Sequence, residues 1–142
     1  MRTILVVDDE HDILNLVQAA LTREGFAVVV AENGDNALEA FEKLQSQVDL
    51  LLTDVVMPGM SGRDLARRIA QMAPHIRVLF MSGYTDNVIA QGGTLEPGLA
   101  FLQKPFTPVT LGLKVREVLD ARAVEAVNSR QSPVDSKRNP QR

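Results

Sequence analysis

At 142 residues the chain suits one domain with a sizeable core, and its 45% hydrophobic and 23% charged content is that of an ordinary globular protein. A net charge of -3 with no basic stripe before the last few residues argues against nucleic acid as a partner, and the absence of cysteine excludes disulfides, thiolate zinc sites and a cysteine nucleophile. No apolar run approaches the roughly 18 residues of a membrane span, and "MRTILVVDDE" turns acidic too early for a secretory signal, so a cytoplasmic domain with no membrane partner is expected.

The first apolar run, "TILVV" (3–7), is not alternating, which predicts a strand covered on both faces, as in a parallel sheet. Ile13, Leu14, Val17, Ala20 and Leu21 then share one helical face, and Gly25 is placed to end that helix. A second strand is predicted at "FAVVV" (26–30), followed by a helix with the stripe Ala37, Leu38, Phe41 and Leu44. The third strand, "DLLLT" (49–53), precedes a helix carrying Leu65, Ile69 and Met72, opened by Ser61 with Asp64 three residues on and closed by Pro74. The fourth is "RVLFMS" (77–82). After it, "TDNVIAQGGTLEPG" predicts a short helix and a loose connection. The fifth strand is "LAFLQ" (99–103), and Thr107-Pro108 is an N-cap and first-turn pair for a last helix with Leu111, Val115, Val118 and Leu119. The domain is expected over 1–122, with a disordered tail over 123–142. Strict βα alternation gives right-handed crossovers and a five-stranded, doubly wound parallel sheet with helices on both faces. Ligands of such sheets sit beyond the carboxyl ends of the strands.

That edge carries the chemistry. Asp8 and Asp9 follow the first strand, Asp54 the third, Ser82 ends the fourth, and Lys104 follows the fifth. Within "LLLTDVVMPGMSG" (50–62), Asp54 interrupts an apolar run, and a buried carboxylate is costly unless something pairs with it. Three close carboxylates repel, and one lysine cannot neutralise them all. A hard divalent cation would relieve the repulsion, and Mg²⁺ favours a few carboxylate oxygens, waters and phosphate oxygens. A carboxylate can also be a phosphoryl-accepting nucleophile, with positioning and charge neutralisation as the main needs. Asp54 can attack, Asp8 and Asp9 can hold a metal, and Lys104 and Ser82 can contact phosphoryl oxygens. Taken singly, Asp54 and Ser82 read as turn residues and Phe101 as core; only the set raises them.

Together "VVDDE", "TDVVMPGMSG", "MSG" at a strand end and "LQKPF" resemble the receiver domain of two-component response regulators, over roughly residues 3–122. The resemblance implies a flavodoxin-like (βα)5 fold of strand order 2-1-3-4-5. It also implies Mg²⁺-dependent transfer of a phosphoryl group from a histidine kinase, or its phosphotransfer domain, to an aspartate. On this sequence Asp54 would be the phosphoacceptor. Asp9, Asp54 and the backbone carbonyl of Val56 would bind the metal directly, and Asp8 through water. Lys104 would pair with the carboxylate and then the phosphoryl group, with Ser82 and Phe101 as switch residues. A downstream partner would meet the surface of the fourth helix, fifth strand and last helix.

Val56 and Tyr84, two residues after Asp54 and Ser82, lack a group suited to orient a hydrolytic water and should screen the phosphoryl group. The expected role is thus a phosphoacceptor regulatory domain and not an enzyme, whether free-standing or excised from a hybrid histidine kinase. The alternatives are a phosphate sink or a docking-only receiver, and then an aspartyl-phosphate phosphohydrolase, against which Val56 counts because such enzymes place a second acid there. A nucleotide or flavin module would need a Gly-rich first turn in place of "DDEHD".

Overall fold

The computed structural model describes residues 2–44, 47–83 and 100–131, with side chains described as far as Asp120. Five strands, β1 (Thr3–Val7), β2 (Ala27–Ala31), β3 (Leu50–Asp54), β4 (Arg77–Ser82) and β5 (Ala100–Gln103), form one parallel sheet of order β2-β1-β3-β4-β5. The helices are α1 (His11–Arg23), α2 (Gly34–Leu44), α3 (Gly62–Met72) and the C-terminal helix α4 (Pro108–Gln131). This is the flavodoxin-like α/β architecture expected from the sequence. The short helix and loose connection expected over 85–98 lie outside the described residues.

The unbroken apolar runs are explained by a core on each face. Ile4, Val6, Leu50, Leu52, Leu79 and Met81 turn toward α1 and α4, where Leu14, Val17, Leu21, Leu111 and Val115 meet them. Their neighbours Leu5, Val7, Leu51 and Phe80 turn the other way, onto Ala37 and Phe41 of α2 and Leu65 and Ile69 of α3. The period of two thus sorts side chains between two equally apolar layers.

Local signals set the helix ends. Gly25, at φ +99°, closes α1: its N–H donates to the Thr22 carbonyl, and the Phe26 N–H reaches back to Leu21. Phe26 is consumed by that cap, so β2 begins at Ala27, one residue later than the apolar run suggests. Ser61 Oγ accepts the Asp64 N–H at 3.1 Å, while the Asp64 carboxylate turns to Arg67 at 2.8 Å instead of completing a capping box. At α4, Thr107 and Thr110 cap reciprocally: each hydroxyl accepts the other's backbone N–H, at 3.1 and 3.0 Å. Helix α4 continues to Gln131, past the boundary at 122, so residues 123–131 of the expected tail are helical. Met72, expected on the apolar stripe of α3, lies in its last turn and is 48% exposed.

Candidate functional site

Hydrogen bonds that extend the sheet ladder beyond the strands carry the key side chains to one edge. The Asp8 N–H donates to Ala31 at 3.2 Å, the Val55 N–H to Met81 at 3.1 Å, and the Lys104 N–H to Ser82 at 2.8 Å. The backbones at Asp8, Asp54 and Lys104 are therefore held by the sheet itself, although 96 residues separate Asp8 from Lys104.

Asp8 is fully buried, Asp54 is 6% exposed and Asp9 is exposed. One oxygen from each of the three lies within 4.8 Å of the others. The Lys104 ammonium reaches all but Asp9, at 2.9 Å from Asp8 Oδ2, 3.3 Å from Asp54 Oδ1 and 3.4 Å from Glu10 Oε1. Glu10 is the contact that sequence reading missed. Its backbone N–H also donates to Asp8 Oδ1 at 2.9 Å, so both oxygens of the buried carboxylate are hydrogen-bonded. The acid in "DDE" was the available signal, but helix starts commonly carry acids without a partner.

Burial pushes the Asp8 carboxyl above its ordinary value, outweighing the Glu10 N–H and the Lys104 ammonium, which favour the charged form. Burial opposes charge on Lys104 as well, yet the Asp8 hydrogen bond and the Asp8 and Asp54 charges raise its pKa above the ordinary 10.5. Lysine's contribution to stability is therefore complete below pH 10.5 and is lost only as pH climbs through the raised value. Asp8 shows the same sign of pH dependence, lower on the scale. The folded state binds its proton more tightly than the unfolded chain, so stability falls as pH rises from 3.8 through the folded pKa.

Asp8→Asn should accordingly melt above the wild type at pH 7 without divalent cations, by about 3 °C if some 1 kcal/mol is recovered. Lys104 would keep Asp54 and Glu10 as partners. The advantage should vanish on acidification through the Asp8 pKa, where the wild-type group is also neutral. Thermal melts across that range decide it, and a variant melting below the wild type at pH 7 would refute the dominance of burial.

Three clustered carboxylates with a single ammonium leave negative charge in excess, and their hard oxygens suit Mg²⁺ or Ca²⁺ better than softer metals. The donor set therefore fits a hard divalent cation. Ser82, the last residue of β4, is half-buried and pairs in register with Gln103. Phe101 is half-buried and stacks on Phe80 with ring centroids 5.4 Å apart. Val56 is 54% exposed in the turn after Asp54. Tyr84 lies outside the described residues.

Residues 4–116 match the response regulator receiver domain family. The chain belongs to that family. It is 36% identical over 118 residues to the sensor kinase CckA of Brucella abortus, covering 83% of this chain but 12% of that protein. It is 34% identical to the response regulator receiver protein CpdR of the same organism, covering 75% of this chain and 87% of CpdR. Among solved structures, the receiver domain of the hybrid histidine kinase CckA superposes with a TM-score of 0.70 at 30% identity, covering 82% of this chain and 98% of that one. A receiver domain protein from Clostridium thermocellum gives 0.74 at 29% identity, covering 88% and 99%. The matched region makes up 47% of each of the similar transcriptional regulators YrkP and ResD of Bacillus subtilis, so the chain spans about half the length of these relatives. A receiver domain is a regulatory module, and receiver domains partner histidine kinases. No helix among the described residues is long and apolar enough to cross a membrane.

Proposed function

We propose that this receiver accepts a phosphoryl group on Asp54. A carboxylate oxygen attacks the phosphorus of a phosphohistidine on a histidine kinase or its phosphotransfer domain. The O–P bond forms as the N–P bond breaks, and the imidazole leaves with a proton. The observation that carries this reading is the Lys104 ammonium, 3.3 Å from Asp54 and 2.9 Å from Asp8 beside the carboxylate cluster. Lys104 orients Asp54 before transfer and meets a phosphoryl oxygen afterwards. Asp9 and Asp54, with the Val56 carbonyl, would hold a Mg²⁺ ion directly and Asp8 through water; bound there, the ion supplies the positive charge that phosphoryl transfer between anions requires.

A new dianion on Asp54 offers strong acceptors to the Ser82 hydroxyl. Drawing Ser82 inward opens space beside β5 for Phe101, and the surface of β5 and α4 changes for a downstream protein. The decisive experiment is intact-protein mass spectrometry after incubation with acetyl phosphate. A single phosphoryl adduct is expected that needs Mg²⁺ and is absent from Asp54→Asn. An adduct surviving that substitution would remove Asp54 from its role, and no adduct under conditions that label another receiver would favour a docking-only domain.

The exposed apolar side chain of Val56 screens the phosphoryl group without orienting water. Val56→Asn should speed loss of the adduct on the order of tenfold, below the range of a full general base. An unchanged decay would end the screening argument.

A further inference from the structure

The turn that follows Asp54 is seated on the start of α2. Its base is fixed twice: the Val55 N–H donates to Met81 at 3.1 Å, and the Val55 carbonyl accepts the Gly62 N–H at 2.8 Å. Val55 and Met57 are buried in the core layer under α2 and α3, so the exposed Val56 stands between two anchored neighbours. Gly59, at φ +78°, turns the chain back, and the Met60 side chain lies over Gly34, the buried first residue of α2. A side-chain carbon on Gly34 would stand 2.7 Å from Met60 Sδ and 2.9 Å from Met60 Cβ, too close for either. Glycine is a poor helix former, and this close approach explains its place in the first turn. The start of α2 is itself anchored. Asn33 Oδ1 accepts the Asn36 N–H at 2.8 Å, and the Ala31 carbonyl, two residues before Asn33, accepts the Asp8 N–H at 3.2 Å.

We propose that Met60, seated on Gly34, is a positioning residue that sets the affinity of the carboxylate cluster for Mg²⁺. The contact ties the turn that carries the Val56 carbonyl to the connection between β2 and α2. Through Ala31 it reaches the strand edge that carries Asp8 and Asp9. The two halves of the site are thereby held together before a cation arrives, and the ion meets ligands already placed. Met60 supplies no ligand atom; it acts through the backbone of residues 56–60. The inference rests on the reading of Asp9, Asp54 and Val56 as the metal ligands.

The test is a ¹⁵N-¹H correlation titration of the full chain with Mg²⁺, read at the amides of Asp9, Asp54 and Val56. It is run on the wild type, Gly34→Ala, Met60→Ala, the double variant and Ile69→Val. Gly34→Ala and Met60→Ala should each weaken Mg²⁺ binding about tenfold, the lower end of the effect of groups behind metal ligands. The double variant should bind no more weakly than either single one, because both substitutions remove the same contact. Ile69→Val trims the same buried layer, and should lower the melting temperature while leaving Mg²⁺ affinity within about twofold. Unchanged affinity in Met60→Ala overturns the proposal. So does a roughly hundredfold loss in the double variant, or a loss in Ile69→Val as large as in Met60→Ala. Met60→Ala only removes atoms from a half-buried side chain, and it decides the matter should Gly34→Ala not fold. A wild type without saturable Mg²⁺ shifts would remove the metal site and the brace with it, whereas a binding wild type with equally tight variants removes the brace alone.

Discussion

Replacing Lys104 with methionine should lower the melting temperature at pH 7 by roughly 10 °C, the effect of about 3 kcal/mol on a domain of this size, and abolish phosphoryl uptake. Methionine keeps the reach and much of the apolar stem, so what is lost is charge. The lysine side chain is 16% exposed, and the Asp8 and Asp54 side chains are 0% and 9% exposed. Removing the ammonium leaves two buried like charges side by side, and losing one partner of a buried pair costs about 3–5 kcal/mol. The lower figure applies because a proton can take the lysine's place on Asp8.

This gives the prediction a pH signature. Asp8 already has a raised pKa from burial, and loss of Lys104 raises it further. Between 3.8 and that value the folded variant holds a proton that the unfolded chain releases, so its stability falls as pH rises through the window. The deficit should be largest at neutral pH and shrink toward about pH 5, and adding Asp8→Asn should recover much of it at pH 7. Melts of the single and double variants at both pH values are the measurement. A single variant within about 2 °C of the wild type at pH 7 would mean that the ammonium does not offset the carboxylates.

How far the sequence reveals this site depends on what each residue's neighbours dictate. Asp8, Asp9, Asp54, Ser82 and Lys104 could be placed at one edge because parallel strands share a direction, and each residue ends or follows a strand. The pattern is silent on which of two adjacent aspartates turns inward. The structure buries Asp8 and exposes Asp9 because the ladder holds the Asp8 backbone to Ala31 while α1 begins only at His11. Asp54 stands inside β3 as its last residue, one position beyond the apolar run, since an ion-paired carboxylate can occupy a strand end that unpaired charge could not. Glu10 went unread because its role depends on Lys104, a contact made only through the fold.

The other large effect expected is at a glycine. Gly62→Ala should cost about 2–3 kcal/mol and slow phosphoryl uptake tenfold or more, although alanine is the better helix former by roughly 1 kcal/mol. A methyl group on Gly62 would overlap the Asp54 carbonyl oxygen and stand 2.9 Å from its carbonyl carbon. Neither can yield as a side chain does. The same carbonyl accepts the buried Thr53 hydroxyl at 3.0 Å, and the Gly62 N–H donates to Val55 at 2.8 Å, so the start of α3 and the end of β3 are fixed against each other. Relief requires moving either the helix or the backbone that carries the Asp54 carboxylate, and a displacement on the order of 1 Å can cost a hundredfold in rate at a positioned group. Gly112→Ala is the matched control. The nearest atoms to its methyl group would be those of the Glu24 side chain, at 3.6 Å and beyond, so it should stabilise α4 by about 0.5–1 kcal/mol and leave uptake unchanged. Melting curves and acetyl phosphate labelling of the two variants separate close approach from helix propensity. If both shift stability in the same direction, the contact between Gly62 and the Asp54 backbone does not position the carboxylate.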